Sequence, residues 1–332
     1  MSQTIDTLKA LLPVFGPSGR EQAVADTIES MLKPYVDEIS RDAMGNLIAL
    51  KRGGGRKVML AAHMDQIGFM VTHIDEKGFL RVSAVGGVMP AWVLMIPVRF
   101  ENGTTGVVGY ETKTEGYDKL KLEHLFIDIG ARSREEAEAQ VQIGDMAVFC
   151  SVLTENKRQL SCGALDDRAG CAIVVEALKR VKNSPYDIYA VFTSQEEVGC
   201  RGARTAAYAI APELAVAFDI TPCPDTPEAK RICSVEMGHG PAIKVRDTSV
   251  ICHPRVRRWL EDAAKARSIP YQLEVLTLGG TDASTIQSSR EGVPSGVLSI
   301  PTRYAHSQQE TMDKADFEAC VELLVAALET EA

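Results

Sequence analysis

Over the second half of the chain, short apolar segments typical of strands alternate with amphipathic segments typical of helices. The pattern predicts strands over 188–193, 214–218, 272–276 and 296–300, and helices over 168–181, 203–209, 255–267 and 314–328. Regular alternation is typical of an α/β sheet that is covered by helices on both faces. We therefore expect this fold class for most of the chain.

The stretch 68–160 has a different texture, with strand-like segments separated by Gly, Asn and Asp turns and one short helix predicted at 134–140. This pattern is typical of a small β-rich or barrel-like domain. We expect residues 1–67 and 161–332 to form one α/β domain with a mixed sheet. The barrel-like domain, 68–160, is then an insertion between its first strands and the rest.

Composition limits the class of partner. The 332 residues carry a net charge of −9, with acidic and basic residues mixed along the chain, so we expect no nucleic-acid partner. No apolar run approaches the roughly 20 residues that span a bilayer, and the N-terminus lacks the pattern of a signal peptide. The eight cysteines form no CxxC pair and are typical of thiols in a reducing compartment. The expected location is the cytoplasm, away from membranes.

Strands are also predicted over 46–50 and 57–62. Four of the predicted strands, 57–62, 188–193, 214–218 and 296–300, each run into side chains that can bind a metal ion. In chain order these side chains are His63 and Asp65, Glu196 and Glu197, Asp219, and His306. In open α/β sheets, sites form in the crevice outside the carboxyl ends of the strands. We therefore expect these side chains to lie close together.

Besides these four strand ends, a fifth segment contains candidate ligands. It is the pair Asp166 and Asp167, directly before the helix predicted from residue 168. Taken alone, the pair is explained by helix capping, and each of the other side chains also has a structural explanation. Taken together, two histidines and several carboxylates make a ligand set suited to paired divalent ions. We therefore favour Asp166 as a ligand and Asp167 as a cap or support.

The residue types suit hydrolysis at a pair of metal ions. Such a site needs a carboxylate that bridges ions ~3.5–4 Å apart, and another that takes a proton from the attacking water. The adjacent Glu196 and Glu197 can supply one metal ligand and one base. The spacing of His63 and Asp65 lets the carboxylate hydrogen-bond the far nitrogen of the imidazole.

The motifs that contain these residues resemble peptidase family 42 of the metallo class, the glutamyl-aminopeptidase and tetrahedral-aminopeptidase group. They occur in the family's order and span nearly the whole chain. The matching stretches are GPSGRE (16–21), AAHMDQIGF (61–69), GALDDRAG (163–170), SQEEVGCRGA (194–203), AFDIT (217–221), GGTDAS (279–284) and RYAHSQQE (303–310).

The resemblance implies two divalent ions per chain, with Zn²⁺, Co²⁺ or Mn²⁺ as the metal. It implies the following roles: Asp166 bridges the ions, His63 and Asp219 complete one shell, Glu197 and His306 complete the other, Glu196 is the general base, and Asp65 orients His63. It further implies that Gly280, Thr281 and Asp282 line the substrate side. The expected substrates are peptides with a free N-terminus.

The same resemblance implies that the inserted domain mediates dimerisation. The expected assembly is a homo-oligomer, with dimers and a dodecamer as its forms. Two other functions stay open from the sequence. One is a different amide hydrolase on the same metal pair, of the deacylase or carboxypeptidase type. The other is a non-catalytic metal-binding scaffold, against which the presence of Glu196 and every ligand argues.

Overall fold

The computed structural model describes residues 3–113 and 116–332. Within this part of the chain, no helix is long and apolar enough to cross a membrane. The α-helices are α1 (Gln3–Leu11), α2 (Gln22–Leu32), α3 (Arg134–Glu138), α4 (Leu165–Arg180), α5 (Arg201–Ile210), α6 (Pro254–Ala266), α7 (Ala283–Ile286) and α8 (Lys314–Leu328). Short 3-10 helices lie at Pro90–Trp92, Tyr117–Lys119 and Leu122–His124.

The strands fall into two sheets. In chain order the strands of both sheets are β1 (Glu38–Arg41), β2 (Leu47–Lys51), β3 (Arg56–His63), β4 (Gly68–Ile74), β5 (Leu80–Val85), β6 (Pro97–Phe100), β7 (Thr105–Tyr110), β8 (Leu125–Asp128), β9 (Met146–Phe149), β10 (Thr154–Glu155), β11 (Gln159–Cys162), β12 (Tyr186–Thr193), β13 (Leu214–Pro222), β14 (Ala242–Arg246), β15 (Gln272–Val275), β16 (Ser295–Arg303) and β17 (Glu310–Asp313).

The larger sheet is mixed and has the order β1-β2-β12-β3-β13-β16-β17-β11-β10, with β14 and β15 joined through β16. Its central strands β12, β3, β13 and β16 are parallel to one another. Parallel strands present their carboxyl ends at one edge of the sheet. This edge is where the sequence places the candidate ligands.

Helices cover both faces of the larger sheet. In β3, Val58 and Leu60 face the core formed with α1, α2, α4, α6 and α8, whereas Met59 and Ala61 face the core formed with α5 and α7. This alternation follows from the two-residue period of a strand. The predicted mixed α/β sheet between two helical layers is confirmed.

The smaller sheet closes into a barrel with the order β4-β5-β8-β7-β6-β9. It has its own apolar core, in which the rings of Phe69 and Phe149 meet edge to face at 5.7 Å. The predicted barrel-like fold is confirmed. Its strands lie between Gly68 and Phe149, while β10 pairs with β11 in the larger sheet, so the domain limits at 67/68 and 160/161 stay a prediction.

Five strands of the larger sheet have no counterpart among the predicted elements: β1, β10, β11, β14 and β17. Strand β1 is almost entirely exposed and so lacks the apolar alternation on which prediction depends. Strands β14 and β17 are short, and both pair with β16. Their conformation is set by this pairing rather than by a local pattern.

Candidate active site

The parallel strands bring the predicted ligands together in two groups that share Asp166. One group holds His63, Asp166 and Asp219, and the other holds Asp166, Glu197 and His306, with the ligand atoms of each group within 4.8 Å of one another. His63 ends β3, Asp219 lies in β13, and His306 follows β16. The arrangement therefore arises from three adjacent strands and the loop that leads into α4.

Asp166 lies between the two histidines. Its Oδ1 is 2.9 Å from Nε2 of His63, and its Oδ2 is 3.2 Å from Nε2 of His306. Burial opposes ionisation, but the hydrogen bonds to His306 and His63 outweigh it and hold the pKa of Asp166 well below its usual value. Asp167 belongs to neither ligand group and accepts the backbone N–H of Gly170 at 2.9 Å, a contact typical of a helix cap.

The far nitrogen of each imidazole contacts an acceptor. Nδ1 of His63 lies 3.1 Å from the backbone oxygen of Asp65 and 3.5 Å from its Oδ1. Nδ1 of His306 lies 2.9 Å from the backbone oxygen of Gly87, a residue of the loop after β5 in the barrel. These contacts favour a proton on Nδ1 and leave both Nε2 atoms available to bind a metal.

The histidine pKa values reflect the surrounding carboxylates. Burial lowers the pKa of His63, but hydrogen bonds to Asp166 and Asp65 outweigh it and raise that pKa well above its usual value. Burial also lowers the pKa of His306, but the hydrogen bond to Asp166 outweighs burial and raises that pKa to about 10.

Asp65 connects the first histidine to the loop of the two glutamates. Its buried carboxylate accepts the hydroxyl of Ser18 at 2.6 Å and the backbone N–H groups of Glu196 and Glu197 at 2.9 and 3.1 Å. Although burial opposes ionisation, the contacts with His63 lower the pKa of Asp65. Asp65 therefore contacts His63, as predicted from the sequence, and also fixes the position of the predicted base.

The adjacent glutamates point to different neighbours. Oε2 of Glu197 is 3.8 Å from Nε2 of His306, within the second ligand group. Glu196 lies outside both groups, with Oε2 4.0 Å from Nε2 of His63 and Oε1 accepting from Sγ of Cys200 at 3.1 Å. Burial raises the pKa of Glu196 to about 7, with the charge of Asp282 adding to the effect and that of His63 opposing it.

Sequence reasoning assigned no role to Glu310, although it ends the motif RYAHSQQE. Its buried carboxylate accepts the backbone N–H of Asp166 at 3.0 Å and that of His306 at 2.8 Å. Burial, reinforced by the charge of Asp166, raises the pKa of Glu310 to about 8. Glu310 therefore fixes the backbone of two predicted ligands at once.

The three residues predicted to line the substrate side differ in their surroundings. Gly280 is exposed, whereas Thr281 and Asp282 are buried. Oδ2 of Asp282 accepts the hydroxyl of Thr193 at 2.6 Å, and the same carboxylate lies close to Glu196. The structure thus brings Asp282 to the predicted base and leaves Gly280 at the surface.

The donor set fits divalent metal ions. Imidazole nitrogens and carboxylate oxygens bind zinc, cobalt and manganese. Burial, and then the negative charge of Asp166, raises the pKa of Glu197 and of Asp219 well above the usual range. These two buried carboxylates therefore need nearby positive charge to remain ionised, and divalent cations would supply it.

Comparisons with known proteins agree with this geometry. The sequence matches the M42 glutamyl aminopeptidase family over residues 45–323. It is 51% identical over 323 residues to a putative aminopeptidase of Acetivibrio thermocellus, covering 97% of this chain and 98% of that protein.

Solved structures of peptidases also superpose closely on this chain. The aminopeptidase APDkam598 from the archaeon Desulfurococcus kamchatkensis superposes with a TM-score of 0.94 at 39% identity, covering 99% of this chain and 95% of that one. The Pyrococcus horikoshii TET1 peptidase, which can assemble into a tetrahedron or a large octahedral shell, superposes with a TM-score of 0.89 at 33% identity, covering 99% of this chain and 100% of that one.

The predicted resemblance and the interpretation of the chain as an enzyme of the aminopeptidase class are thereby confirmed. Because the family match spans most of the sequence, the chain belongs to the M42 glutamyl aminopeptidase family.

Proposed function

We propose that this protein is an aminopeptidase that depends on two divalent metal ions and removes N-terminal residues from peptides with a free α-amine. One observation carries the proposal. The two oxygens of Asp166 face the metal-binding nitrogens of His63 and His306 at 2.9 and 3.2 Å, so one carboxylate serves two ligand groups. A bridging carboxylate of this kind is the common element of dinuclear hydrolases.

Each of the two ligand groups would hold one ion. His63 and Asp219 would complete the shell on one side of Asp166, and Glu197 and His306 would complete it on the other. When bound, zinc, cobalt or manganese supplies Lewis acidity and lowers the pKa of a water molecule. Glu310 and Gly87 hold the second group in place through the backbone and the imidazole of His306.

Glu196 is the general base in this proposal. It lies beside the first ligand group without being a member of either, since its Oε2 is 4.0 Å from Nε2 of His63. Its raised pKa, about 7, suits a group that accepts a proton from water and then donates it to the leaving amine nitrogen. Asp65 holds the base in place through the backbone N–H of Glu196.

Recognition of the free amine is assigned to the acidic side of the site. A substrate ammonium group is attracted by buried carboxylates that lack enough positive charge. Asp282 is such a group, and we place it with Gly280 and Thr281 on the substrate side. An N-acetylated peptide has no ammonium group and loses this interaction.

The same proposal extends to assembly and location. The inserted domain, 68–160, is proposed to mediate dimerisation, and Met89, Trp92 and Met95 expose large apolar side chains there. The assembly of the Pyrococcus horikoshii TET1 peptidase into a tetrahedron or an octahedral shell supports a homo-oligomer, for which we propose dimers and a dodecamer. Eight free thiols support a reducing compartment.

The experiment that tests the proposed function uses metal-stripped protein re-supplied with zinc, cobalt or manganese. A panel of aminoacyl-p-nitroanilides and short peptides is assayed beside the N-acetylated form of each substrate. We expect metal-dependent release from the free-amine substrates alone. Release from N-acetylated substrates, or from the C-terminus, would favour the deacylase or carboxypeptidase alternative. No release with any metal, although two ions are bound, would favour the scaffold.

A further inference from the structure

A third group of ligand-type side chains lies beside the two already described. It consists of Glu196, Cys200 and Asp282, and its ligand atoms lie within 4.8 Å of one another. None of the roles proposed above uses the thiol of Cys200. The group therefore calls for an explanation of its own.

The carboxylate of Glu196 has a separate oxygen for each side. Oε2 is 4.0 Å from Nε2 of His63, toward the catalytic ligands, while Oε1 accepts from Sγ of Cys200 at 3.1 Å. Ligand atoms in a tetrahedral zinc shell are about 3.3–3.5 Å apart, which follows from zinc–oxygen distances of about 2.0 Å and zinc–sulfur distances of about 2.3 Å. The sulfur and oxygen are thus close to the separation that one ion requires.

Asp282 provides an independent sign of a missing ligand. The side chain is 2% exposed, and its Oδ1 makes no hydrogen bond to any described residue. Its Oδ2 accepts from Thr193, so the carboxylate is held in place with one oxygen unsatisfied. A buried oxygen without a partner is costly, and a bound cation removes that cost.

We propose that Glu196, Cys200 and Asp282 form a third cation site, specific for thiophilic divalent ions and above all zinc, whose occupation inhibits the enzyme. The inhibitory part rests on the proposed function, because it acts by withdrawing the general base Glu196. The site itself does not depend on that role.

The chemistry follows from the ligand types. On binding, the sulfur–hydrogen bond of Cys200 is replaced by a sulfur–zinc bond, and the proton leaves to solvent. Thiolate favours zinc, whereas manganese and magnesium prefer oxygen ligands. The hydroxyl of Ser284, whose Oγ is 3.7 Å from Sγ, or a water can complete the shell. An ion bound to Oε1 withdraws electron density from the Glu196 carboxylate and lowers its basicity, so the free Oε2 accepts a proton from water less readily.

Cobalt absorption tests the site without relying on activity. The five side chains of the two ligand groups include no cysteine, so cobalt bound there gives no thiolate-to-cobalt charge transfer. Metal-stripped wild-type protein is titrated with Co²⁺ while near-ultraviolet absorption and bound cobalt are measured. We expect an intense charge-transfer band that grows with the third equivalent. No band up to a large excess of cobalt would overturn the proposal, and this wild-type result needs no variant.

Variants then assign the band to one sulfur. Cys200→Ser keeps a hydroxyl that can donate to Glu196, and we expect it to lose the band. Cys252→Ser, which changes another buried thiol that packs in the core formed with α5 and α7, is the matched control and is expected to keep the band. Thermal unfolding of each variant verifies that it is folded. A band that persists undiminished in folded Cys200→Ser would overturn the assignment.

Inhibition gives the second measurement. With two equivalents of zinc already bound, further zinc is expected to inhibit the wild type, and about tenfold more zinc is expected to be needed for Cys200→Ser. Equal zinc sensitivity of the two proteins would overturn the inhibitory role. The third site and the proposed function can be refuted separately. If the protein shows the cobalt band but no peptidase activity, the third site stands and the proposed function is refuted. If it shows peptidase activity but no band, the proposed function stands and the third site is refuted.

Discussion

The carboxylate of Asp65 accepts the backbone N–H of Glu196 at 2.9 Å, so the residue that contacts His63 also positions the proposed general base. Ser18 and Glu197 donate to the same carboxylate. Asp65 therefore holds both the proposed metal ligand His63 and the proposed base Glu196 in position. A change at Asp65 is expected to affect both.

Replacing Asp65 by asparagine removes one acceptor oxygen and sets an amide N–H against a backbone N–H. We expect Asp65→Asn to lower both kcat and zinc affinity, each by roughly 10–100-fold, a loss typical of residues that support metal ligands. Steady-state kinetics and competition with a zinc chelator measure the two effects. Ser18→Ala removes a single hydrogen bond to Asp65 and is the milder control. If Asp65→Asn affected zinc affinity alone, the proposed support of Glu196 would be wrong.

Glu196 and its neighbour Glu197 offer a matched pair. We expect Glu196→Gln to lower kcat by ~10²–10⁴-fold while two equivalents of metal stay bound, because only proton transfer is lost. Glu197→Gln is expected instead to weaken binding of the ion next to His306. Metal analysis by mass spectrometry, together with kcat measured at saturating metal, separates the two. Near-normal turnover by Glu196→Gln with both ions bound would refute its role as the base.

Gly87, in the barrel domain, allows a test of how His306 is held in position. A Cβ atom at this position would lie 2.6 Å from Nδ1 of His306, too close for the imidazole to keep its present contact with the backbone oxygen of Gly87. We expect Gly87→Ala to displace the imidazole and to weaken the ion that His306 and Glu197 bind. The ion near Asp219 serves as the internal control within the same molecule. Calorimetric titration with zinc resolves the two events, and unchanged affinity in both would contradict this contact.

Metal binding is expected to depend on pH in a defined direction. Without metal, His306 keeps a proton up to its pKa of about 10, and Glu310 keeps one up to about 8. A metal ion requires the neutral imidazole, so below pH 10 it must displace that proton. Affinity for zinc should therefore rise with pH through the neutral range, with proton release.

Calorimetry in buffers of different ionisation enthalpy counts the protons released on metal binding. We expect net release at neutral pH, and about one proton fewer from His306→Ala. Uptake of protons, or zinc affinity that falls as the pH rises, would contradict the assignment of His306 as a ligand.

Much of this site could be predicted because ligand side chains at strand ends leave a local signal. An apolar run that stops at His63 or before Glu196 is visible in the sequence, and so is the acidic pair at Asp166. The contributions of Glu310 and Gly87 could not be predicted in this way. Glu310 acts on backbone N–H groups, and Gly87 acts through its own backbone oxygen from a loop of the barrel domain. Neither contact depends on a local side-chain pattern.

The same limit applies to Cys200 and Asp282. They lie 82 residues apart in the sequence numbering, and each has an ordinary local explanation, a buried thiol at the start of α5 and an acid before α7. Only the pairing of strands and the packing of these two short segments bring them to Glu196. Strand β14 illustrates the point for the fold, since its pairing with β16 rather than its composition defines it.

Anomalous diffraction can locate the two metal ions that Asp166 is proposed to bridge. Crystals of protein loaded with two equivalents of zinc are measured at the zinc absorption edge. We predict two anomalous peaks ~3.5–4 Å apart, on either side of the Asp166 carboxylate, with one near His63 and the other near His306. A single peak, or two peaks that do not both lie next to Asp166, would contradict a bridging role for Asp166.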